Sequence, residues 1–191
     1  MKKQILLLIS VFWLILLVAG CRATEPGETE TPTISVTPEE NNFMGWFDVP
    51  MTDVQTGETF KVSDFSGKVV LLETMAMWCP NCIVQANEVR NLHQMLENPE
   101  DLVSISLDVD VHEDAESLKE YTEEYGFEWR FAIAPLAVAR TLGNLYSAQY
   151  LNPPLSPMLL IDRNGDVYQF PYGKKKADDL LSLIQPFLDQ E

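Results

Sequence analysis

Cysteine, histidine and basic residues are scarce in this chain, and each shortage excludes a class of protein. The 191 residues include 3 cysteines and 2 histidines, too few thiols for a zinc site with four cysteine ligands. The 13 lysines and arginines stand against 29 aspartates and glutamates, which gives a formal net charge of -16 at pH 7. Because proteins that bind nucleic acid need clustered basic side chains against the phosphates, we expect no nucleic-acid partner.

One long apolar run is present, near the N-terminus. Ile5–Ala19 is uncharged and follows Lys2 and Lys3, and it ends in small residues. This order of a basic start, an apolar stretch and a small-residue end is typical of a secretory signal peptide. The run is also shorter than the roughly 20 residues that a permanent membrane span needs. We therefore expect export, cleavage and an extracytoplasmic location.

The end of this run, VAGC at residues 18–21, resembles the lipobox of bacterial lipoproteins. The resemblance implies that residues 1–20 are a lipoprotein signal peptide. It also implies that Cys21 becomes the first residue of the mature chain and carries the lipid. Each CH₂ group of an acyl chain that enters a bilayer contributes about 0.8 kcal/mol, so we expect a membrane-anchored lipoprotein.

The next segment has the composition of a tether. Residues 22–41 are rich in Thr, Pro and Glu and contain almost no large apolar side chains. Such a segment buries too little surface to offset the entropy lost on ordering. We interpret residues 21–42 as the lipidated cysteine followed by a flexible acidic tether, and residues 43–191 as one folded domain.

The order of elements after residue 43 predicts the fold class. Apolar runs at residues 69–76 and 102–111 predict strands buried on both faces. Turn residues predict one hairpin at Thr56–Gly57 and another at Asn164–Gly165. Apolar spacing predicts helices at residues 80–97, 113–126, 136–146 and 175–188, and a short strand at 127–133. The sequence βαβα, hairpin, α predicts an α/β domain with a central mixed sheet and helices on both faces.

Two cysteines, Cys79 and Cys82, follow the first buried strand at a spacing of three. The pair could ligate a metal, staple the fold or exchange disulfides, but a disulfide that encloses so few residues removes little chain entropy. A cysteine at the entry of a helix is favoured as a thiolate by the helix dipole and the unpaired N–H groups, with pKa values of about 3.5 to 7.5. We therefore predict that Cys79 is an exposed nucleophile and that Cys82 resolves the mixed disulfide.

The stretch GKVVLLETMAMWCPNC at residues 67–82 resembles the active-site strand and turn of the thioredoxin family, especially the exported TlpA/ResA-like branch. PMLLIDRNGDV at residues 157–167 resembles the later hairpin of that branch. The likeness extends over residues 47–187. It implies a thioredoxin fold and a thiol-disulfide oxidoreductase that acts on protein disulfides and uses no cofactor. It further implies an upstream membrane electron donor, and apocytochrome c maturation is one candidate pathway. We expect the enzyme to act as a reductant and as a monomer.

Glu73 interrupts the apolar strand six positions before Cys79. A carboxylate among apolar neighbours is costly unless it has a partner or a function. In thioredoxins, which this chain resembles, a buried acid helps to deprotonate the second cysteine, and the resemblance gives Glu73 this role. The alternative is a side chain that turns outward or pairs with a polar group of the core.

The resemblance also implies a surface that contacts the partner protein. Pro157 corresponds to the cis-proline of the family, which presents backbone to the partner beside the cysteines, and Ser156 precedes it. Trp78, Pro80 and Asn81 complete the expected active site. Pro80 stands first between the cysteines, whereas the branch usually has proline second, and this dipeptide tunes the redox potential. The direction of electron flow is therefore left open.

A copper-binding function is the alternative. Residues 109–129 resemble Sco-type copper chaperones, which would use the same cysteines, with His112 as a further ligand. Those chaperones have a Cys-x-x-x-Cys pair and a later histidine, and this chain has neither. We expect His93 and His112 to be solvated, no metal site, and a solvated helix start at residues 174–176. A peroxiredoxin-type peroxidase, the third possibility, does not use a C-x-x-C pair.

Overall fold

The computed structural model describes residues 35–36 and 45–190. The predicted signal peptide, Cys21 and all of the predicted tether except Ser35–Val36 lie outside the described residues. Within the described part of the chain, no helix has both the length and the apolar character needed to cross a membrane.

A mixed sheet forms the centre of the domain. Its strand order is β1-β8-β7-β4-β5-β6, with β4, β5 and β6 parallel to one another and β7 antiparallel to β4, while β2 and β3 form a separate hairpin. The strands are β1 (Ser35–Val36), β2 (Met51–Thr52), β3 (Thr59–Phe60), β4 (Val69–Met75), β5 (Leu102–Asp108), β6 (Arg130–Ile133), β7 (Met158–Ile161) and β8 (Val167–Gln169). The predicted order of strands and the mixed sheet are confirmed.

In residues 45–190, four α-helices connect and cover these strands. They are α1 (Pro80–Met95), α2 (Ala115–Tyr125), α3 (Leu136–Leu145) and α4 (Ala177–Leu188). Side chains of α1, α2 and α4 pack in one apolar cluster, and those of α3 pack in a second cluster with the segment around β2 and β3. The sheet is therefore covered on both faces, as predicted.

Strand β4 is the inner strand on which the site is built. All of its residues are buried, because it lies between β5 and β7 and has a helical layer on each face. Side chains alternate between the two faces of a strand. Val69, Leu71 and Met75 belong to the apolar cluster beneath α1. Glu73 lies two residues from Leu71 and from Met75, and therefore on the same face of the strand. Its side chain is thereby directed into the layer that holds α1.

The end of β5 and the start of α4 are among the predicted boundaries that the structure corrects. The strand predicted over residues 102–111 ends at Asp108, because the backbone N–H of Asp110 turns back to donate to the Asp108 carboxylate at 2.9 Å. The last helix, predicted from residue 175, begins at Ala177. The helix capped by Gly126 ends as predicted, since Gly126 adopts the left-handed conformation with φ 65° that favours glycine.

Candidate active site

Cys79 and Cys82 form a disulfide at the start of α1. Their Cα atoms are 5.3 Å apart. Cys79 is the N-cap residue, and its sulfur accepts the backbone N–H of Cys82 at 3.2 Å. Pro80 lies in the first turn of α1. Backbone N–H groups in this turn have no acceptor within the helix, so the N–H that proline lacks costs no hydrogen bond. The predicted placement of Cys79 at a helix entry is confirmed, and the positive end of the helix dipole lies at its sulfur.

The prediction that Cys79 is exposed is wrong for this disulfide-bonded form. Cys79 is 0% exposed and Cys82 is 4% exposed. Both side chains belong to the apolar cluster between α1 and the sheet, and the carbonyl of Pro153 lies 3.5 Å from the sulfur of Cys82. The side chain of Trp78, which directly precedes Cys79, is 57% exposed.

The loop before β7 lies over the second half of the disulfide. It contributes the carbonyl of Pro153 to the Cys82 sulfur and the carbonyl of Pro154 to the side-chain amide of Asn81, at 2.9 Å. Every described peptide bond is trans, so the cis geometry expected at Pro157 is wrong. Pro157 instead accepts a hydrogen bond from the backbone N–H of Thr74 on β4, at 3.2 Å. The loop thus contacts the Cys79–Cys82 segment through the carbonyls of Pro153 and Pro154.

Ser156 precedes Pro157 in an unusual conformation. It has φ 46°, the one positive φ among the described non-glycine residues. Its side chain is 3% exposed, and its hydroxyl has no hydrogen-bond partner within the described residues. The strained turn directs the Ser156 carbonyl to the ammonium of Lys175, at 3.3 Å. Ser156 therefore joins the site through its backbone.

Glu73 is buried, with 5% of its surface exposed, so the alternative of an outward-turned side chain is wrong. It lies directly opposite Ser106 in the parallel register of β4 and β5, and the Ser106 hydroxyl donates to its carboxylate at 2.6 Å. Ser106 in turn accepts from the indole N–H of Trp129 at 2.9 Å. Burial raises the pKa of Glu73 to about 7, while the Ser106 hydrogen bond and the positive charge of Lys175 lower it.

Lys175 is the main residue of the site that sequence reasoning missed. It was predicted to be solvated, but only 8% of its surface is exposed. Its ammonium donates to the carbonyls of Gly173 and Ser156, at 2.6 and 3.3 Å. Burial lowers the pKa of Lys175 to about 8, and the negative charge of Glu73 raises it. The run of three lysines at residues 174–176 gave no signal that one of them is buried, because such runs are usually exposed.

Gln85 joins Lys175 to α1. The backbone N–H of Lys175 donates to the side-chain carbonyl of Gln85 at 2.7 Å, and the side-chain amide of Gln85 donates back to the Lys175 carbonyl at 3.1 Å. Gln85 lies three residues after Cys82 and is buried. The neighbouring Lys174 is exposed and donates to the side-chain carbonyl of Asn81 at 3.0 Å. Both lysines thus meet the helix that carries the cysteines.

Acidic residues after β5 hold the segment that leads into Cys79. The Glu113 carboxylate accepts the backbone N–H groups of Met77 and Trp78, at 2.8 and 3.3 Å. The indole N–H of Trp78 donates to Asp110 at 2.6 Å. Burial and the neighbouring Glu113 raise the pKa of Asp108 to about 8. Sequence reasoning missed this role, although the acid-rich stretch after a buried strand was visible.

The two histidines make their contacts with residues other than Cys79 and Cys82. His93 was predicted to be solvated, but burial lowers its pKa, its ring nitrogen lies 2.8 Å from the Ser104 hydroxyl, and its ring packs against Trp129. His112 is exposed, and its backbone N–H donates to Asp110. Within residues 35–36 and 45–190, no three His, Cys, Asp or Glu side chains are grouped so that they could hold a metal ion.

Comparison with known proteins gives a consistent picture. A family model described as Redoxin matches residues 30–182. The chain is 28% identical over 193 residues to the thiol-disulfide oxidoreductase ResA of Geobacillus kaustophilus, a match that covers 97% of this chain and 100% of that protein.

Solved structures resemble the fold. A thiol:disulfide interchange protein of the thioredoxin family from Chlorobium tepidum matches with a TM-score of 0.59 and 16% identity, over 86% of this chain and 99% of that one. An exposed lipoprotein thioredoxin from Streptococcus pneumoniae matches with a TM-score of 0.57 and 18% identity, over 72% of this chain and 98% of that one. These matches identify the architecture as the thioredoxin fold.

Proposed function

The chain belongs to the Redoxin family and is an oxidoreductase with a thioredoxin fold, and we propose that it exchanges disulfides with other proteins through Cys79 and Cys82. The single observation that carries the proposal is the disulfide at the entry of α1, with the Cys79 sulfur at the N-cap position. The name of the Geobacillus kaustophilus relative, a thiol-disulfide oxidoreductase, supports the same chemistry.

The reaction in the reducing direction has two steps. The Cys79 thiolate attacks a substrate disulfide, an S–S bond forms between Cys79 and the substrate, and one substrate sulfur leaves as a thiolate. Cys82 then gives its proton to the Glu73 carboxylate and attacks the Cys79 sulfur. The second substrate sulfur leaves as a thiolate and takes up a proton, so the substrate gains two electrons and the enzyme is left oxidised.

Glu73 is the proposed base of the second step. Its buried position on β4 places it on the face of the sheet that packs against α1, and burial raises its pKa to about 7, close to neutral pH. A base whose pKa lies near the working pH both exists in its charged form and binds a proton readily. Replacing Glu73 should therefore slow the release of the mixed disulfide more than its formation.

The proposed substrates are protein disulfides that approach the surface around Trp78, Pro80 and Asn81. Trp78 and Pro80 are exposed beside the disulfide, and Asn81 fixes the neighbouring loop through the Pro154 carbonyl. The backbone groups of Ser156 and Pro157 are already bonded to Lys175, Pro153 and Thr74, so these two residues are proposed to hold the loop beside this surface. An upstream membrane electron donor is proposed to recharge the dithiol, and apocytochrome c maturation is the candidate pathway.

Reduction of insulin by dithiothreitol, followed as turbidity, tests the activity. Wild type should accelerate the reaction, and Cys79→Ala should abolish the acceleration because the attacking sulfur is gone. Cys82→Ala should accumulate a covalent adduct with an insulin chain, visible by mass spectrometry under non-reducing conditions. Ser182→Ala, which removes an exposed hydroxyl on α4, is the matched control. Wild-type activity in Cys79→Ala would disprove the mechanism.

Membrane anchoring through lipid on Cys21 is the proposed localisation. The VAGC stretch supports it, and the Streptococcus pneumoniae relative is named an exposed lipoprotein. The wild-type chain should fractionate with membranes and incorporate labelled fatty acid, whereas Cys21→Ala should do neither. Label in Cys21→Ala would place the lipid elsewhere.

The direction of electron flow is proposed to be reduction. Equilibration of the Cys79–Cys82 pair against glutathione mixtures measures its potential. A reduction potential of about -270 mV is expected for a reductase, whereas a potential of about -120 mV would identify an oxidase. Anaerobic Cu(I) titration distinguishes the copper alternative, which requires tight stoichiometric binding that is lost in His112→Ala.

A further inference from the structure

Lys175 stands out because a buried ammonium is costly without compensation. Transfer of a charged group away from water is unfavourable unless acceptors and an opposite charge surround it. Two carbonyls, those of Gly173 and Ser156, accept hydrogen bonds from the Lys175 ammonium. The carboxylate that interacts with its charge is Glu73. The Ser156 carbonyl that binds the ammonium lies two residues before Met158, which is opposite Glu73 in the register of β4 and β7. The buried cation is thus held at the end of β7 that pairs with the buried acid of β4.

The position of Lys175 is fixed by the helix that carries the cysteines. Gln85 makes reciprocal hydrogen bonds with the backbone N–H and carbonyl of Lys175, at 2.7 and 3.1 Å. One helical turn further, the Glu88 carboxylate accepts the backbone N–H of Ala177, at 2.9 Å. The start of α4 is therefore attached to α1 at two successive turns. A change in the position of Lys175 would break contacts that a solvated lysine does not have.

Few groups compensate the charge of Glu73. The groups that face it are the Ser106 hydroxyl from β5, the Lys175 ammonium from the segment before α4, and Tyr121 from α2. Burial raises the pKa of Tyr121 far above neutral pH, so its phenol stays uncharged. Asp108 and Glu113 interact with Tyr121 and not with Glu73 directly. Lys175 is the one positive charge among these described neighbours.

We propose that Lys175 is a positioning residue for the resolving step: its buried ammonium, held by the carbonyls of Gly173 and Ser156, keeps Glu73 in the charged form that accepts the Cys82 proton. This inference rests on the proposed function and deepens it. Without the ammonium, Glu73 would hold its proton at neutral pH and Cys82 would lack an acceptor. Lys175 itself forms no bond to the reacting sulfurs in this scheme.

The two chemical steps can be followed separately with the reduced full chain and 5,5′-dithiobis(2-nitrobenzoic acid). The first thionitrobenzoate released reports the attack of Cys79, and the second reports the attack of Cys82 on the mixed disulfide. Lys175→Met should move the pH midpoint of the second phase upward by about one pH unit, which is about a tenfold loss of rate below that midpoint. The rate of the first phase, the attack by Cys79, should change less than about twofold.

Charge and position are separated by further variants. Lys175→Arg should restore the wild-type pH midpoint, because it keeps the positive charge. Lys176→Met removes the next, exposed lysine and should behave as wild type. In a Glu73→Gln background, Lys175→Met should produce no further shift, because the carboxylate through which it acts is absent. If Lys175→Met does not fold, Lys175→Gln provides the same test with a side chain that can still donate to the two carbonyls.

Two results would overturn the inference. One is a pH midpoint in Lys175→Met, or in Lys175→Gln, that equals the wild-type midpoint. The other is an upward shift that persists in the Glu73→Gln background, because the lysine would then act on the cysteines and not on Glu73. These results differ from a failure of the proposed function, which would appear as insulin reduction that survives Cys79→Ala.

Discussion

The buried carboxyl of Glu73 makes folding stability depend on pH in a way that one substitution should remove. Glu73→Gln keeps the size of the side chain and an oxygen that can accept from the Ser106 hydroxyl, but it cannot ionise. Burial raises the pKa of Glu73 from 4.5 to about 7. Ionisation of Glu73 therefore costs free energy in the folded protein that it does not cost in the unfolded chain.

The magnitude follows from that difference in pKa. A shift from 4.5 to about 7 corresponds to about 3 kcal/mol, at about 1.4 kcal/mol for each tenfold change in proton affinity. Below pH 4.5 both states hold the proton, and wild type is not penalised. Between pH 4.5 and 7 the unfolded chain loses the proton first, so wild-type stability falls, and above pH 7 the full loss is present.

Denaturant unfolding of the two oxidised proteins between pH 4 and 7.5 measures the effect. The stability of Glu73→Gln relative to wild type should rise by about 3 kcal/mol across this range, which corresponds to about 6 to 12 °C in Tm. The titration of Asp108, which is present in both proteins, cancels in the difference. Glu124→Gln removes an exposed carboxyl on α2 and controls for the loss of one acidic charge.

A flat difference would refute this reasoning. If the stability gap between Glu73→Gln and wild type changes by less than about 1 kcal/mol over the range, the Glu73 carboxyl does not titrate in a buried environment. The assignment of Glu73 as a base with a pKa near neutral pH would then lose its physical basis, whatever the effect of the substitution on activity.

Three further predictions follow from individual contacts. Ser106→Ala removes the hydrogen bond that favours charged Glu73, so the pH midpoint of the second thionitrobenzoate phase should rise; an unchanged midpoint would contradict the role of this bond. Leu160→Ala, at a fully buried position of β7, should lower the free energy of unfolding by about 2 to 5 kcal/mol, and a loss below this range would mean that the core closes around the gap. Gly126→Ala places a side chain at φ 65° and should cost about 1 kcal/mol in thermal or denaturant unfolding; no loss would show that the helix end rearranges.

Much of the fold was predictable because it depends on local patterns. The continuous apolar run of β4 indicated a strand buried on both faces, and Gly126 marked the end of α2. The Trp78 to Cys82 stretch, placed between a strand and a helix, located the cysteine pair of the proposed site. The single acid in an apolar strand pointed to Glu73. Each of these signals lies within a few residues of the feature that it predicts.

Other features depended on residues far apart in the chain. The buried position of Lys175 depends on Gln85, 90 positions earlier, and on the Ser156 carbonyl from the loop before β7. A run of lysines in sequence gives no sign of this, because exposure is the usual state of such a run. The carboxylate of Glu113, which holds Met77 and Trp78 from 36 and 35 positions away, was hidden for the same reason.

The sequence by itself determined the order of strands and helices, the cysteine at a helix entry and the acid within β4. These follow from hydrophobic periodicity and from residues adjacent in the chain. Only the tertiary structure decided that both cysteines are covered in the disulfide form, that the Pro153 carbonyl lies at the Cys82 sulfur, and that Lys175 is buried where its charge acts on Glu73. Desolvation and charge pairing set the protonation of such groups, and both depend on which distant segments the fold brings together.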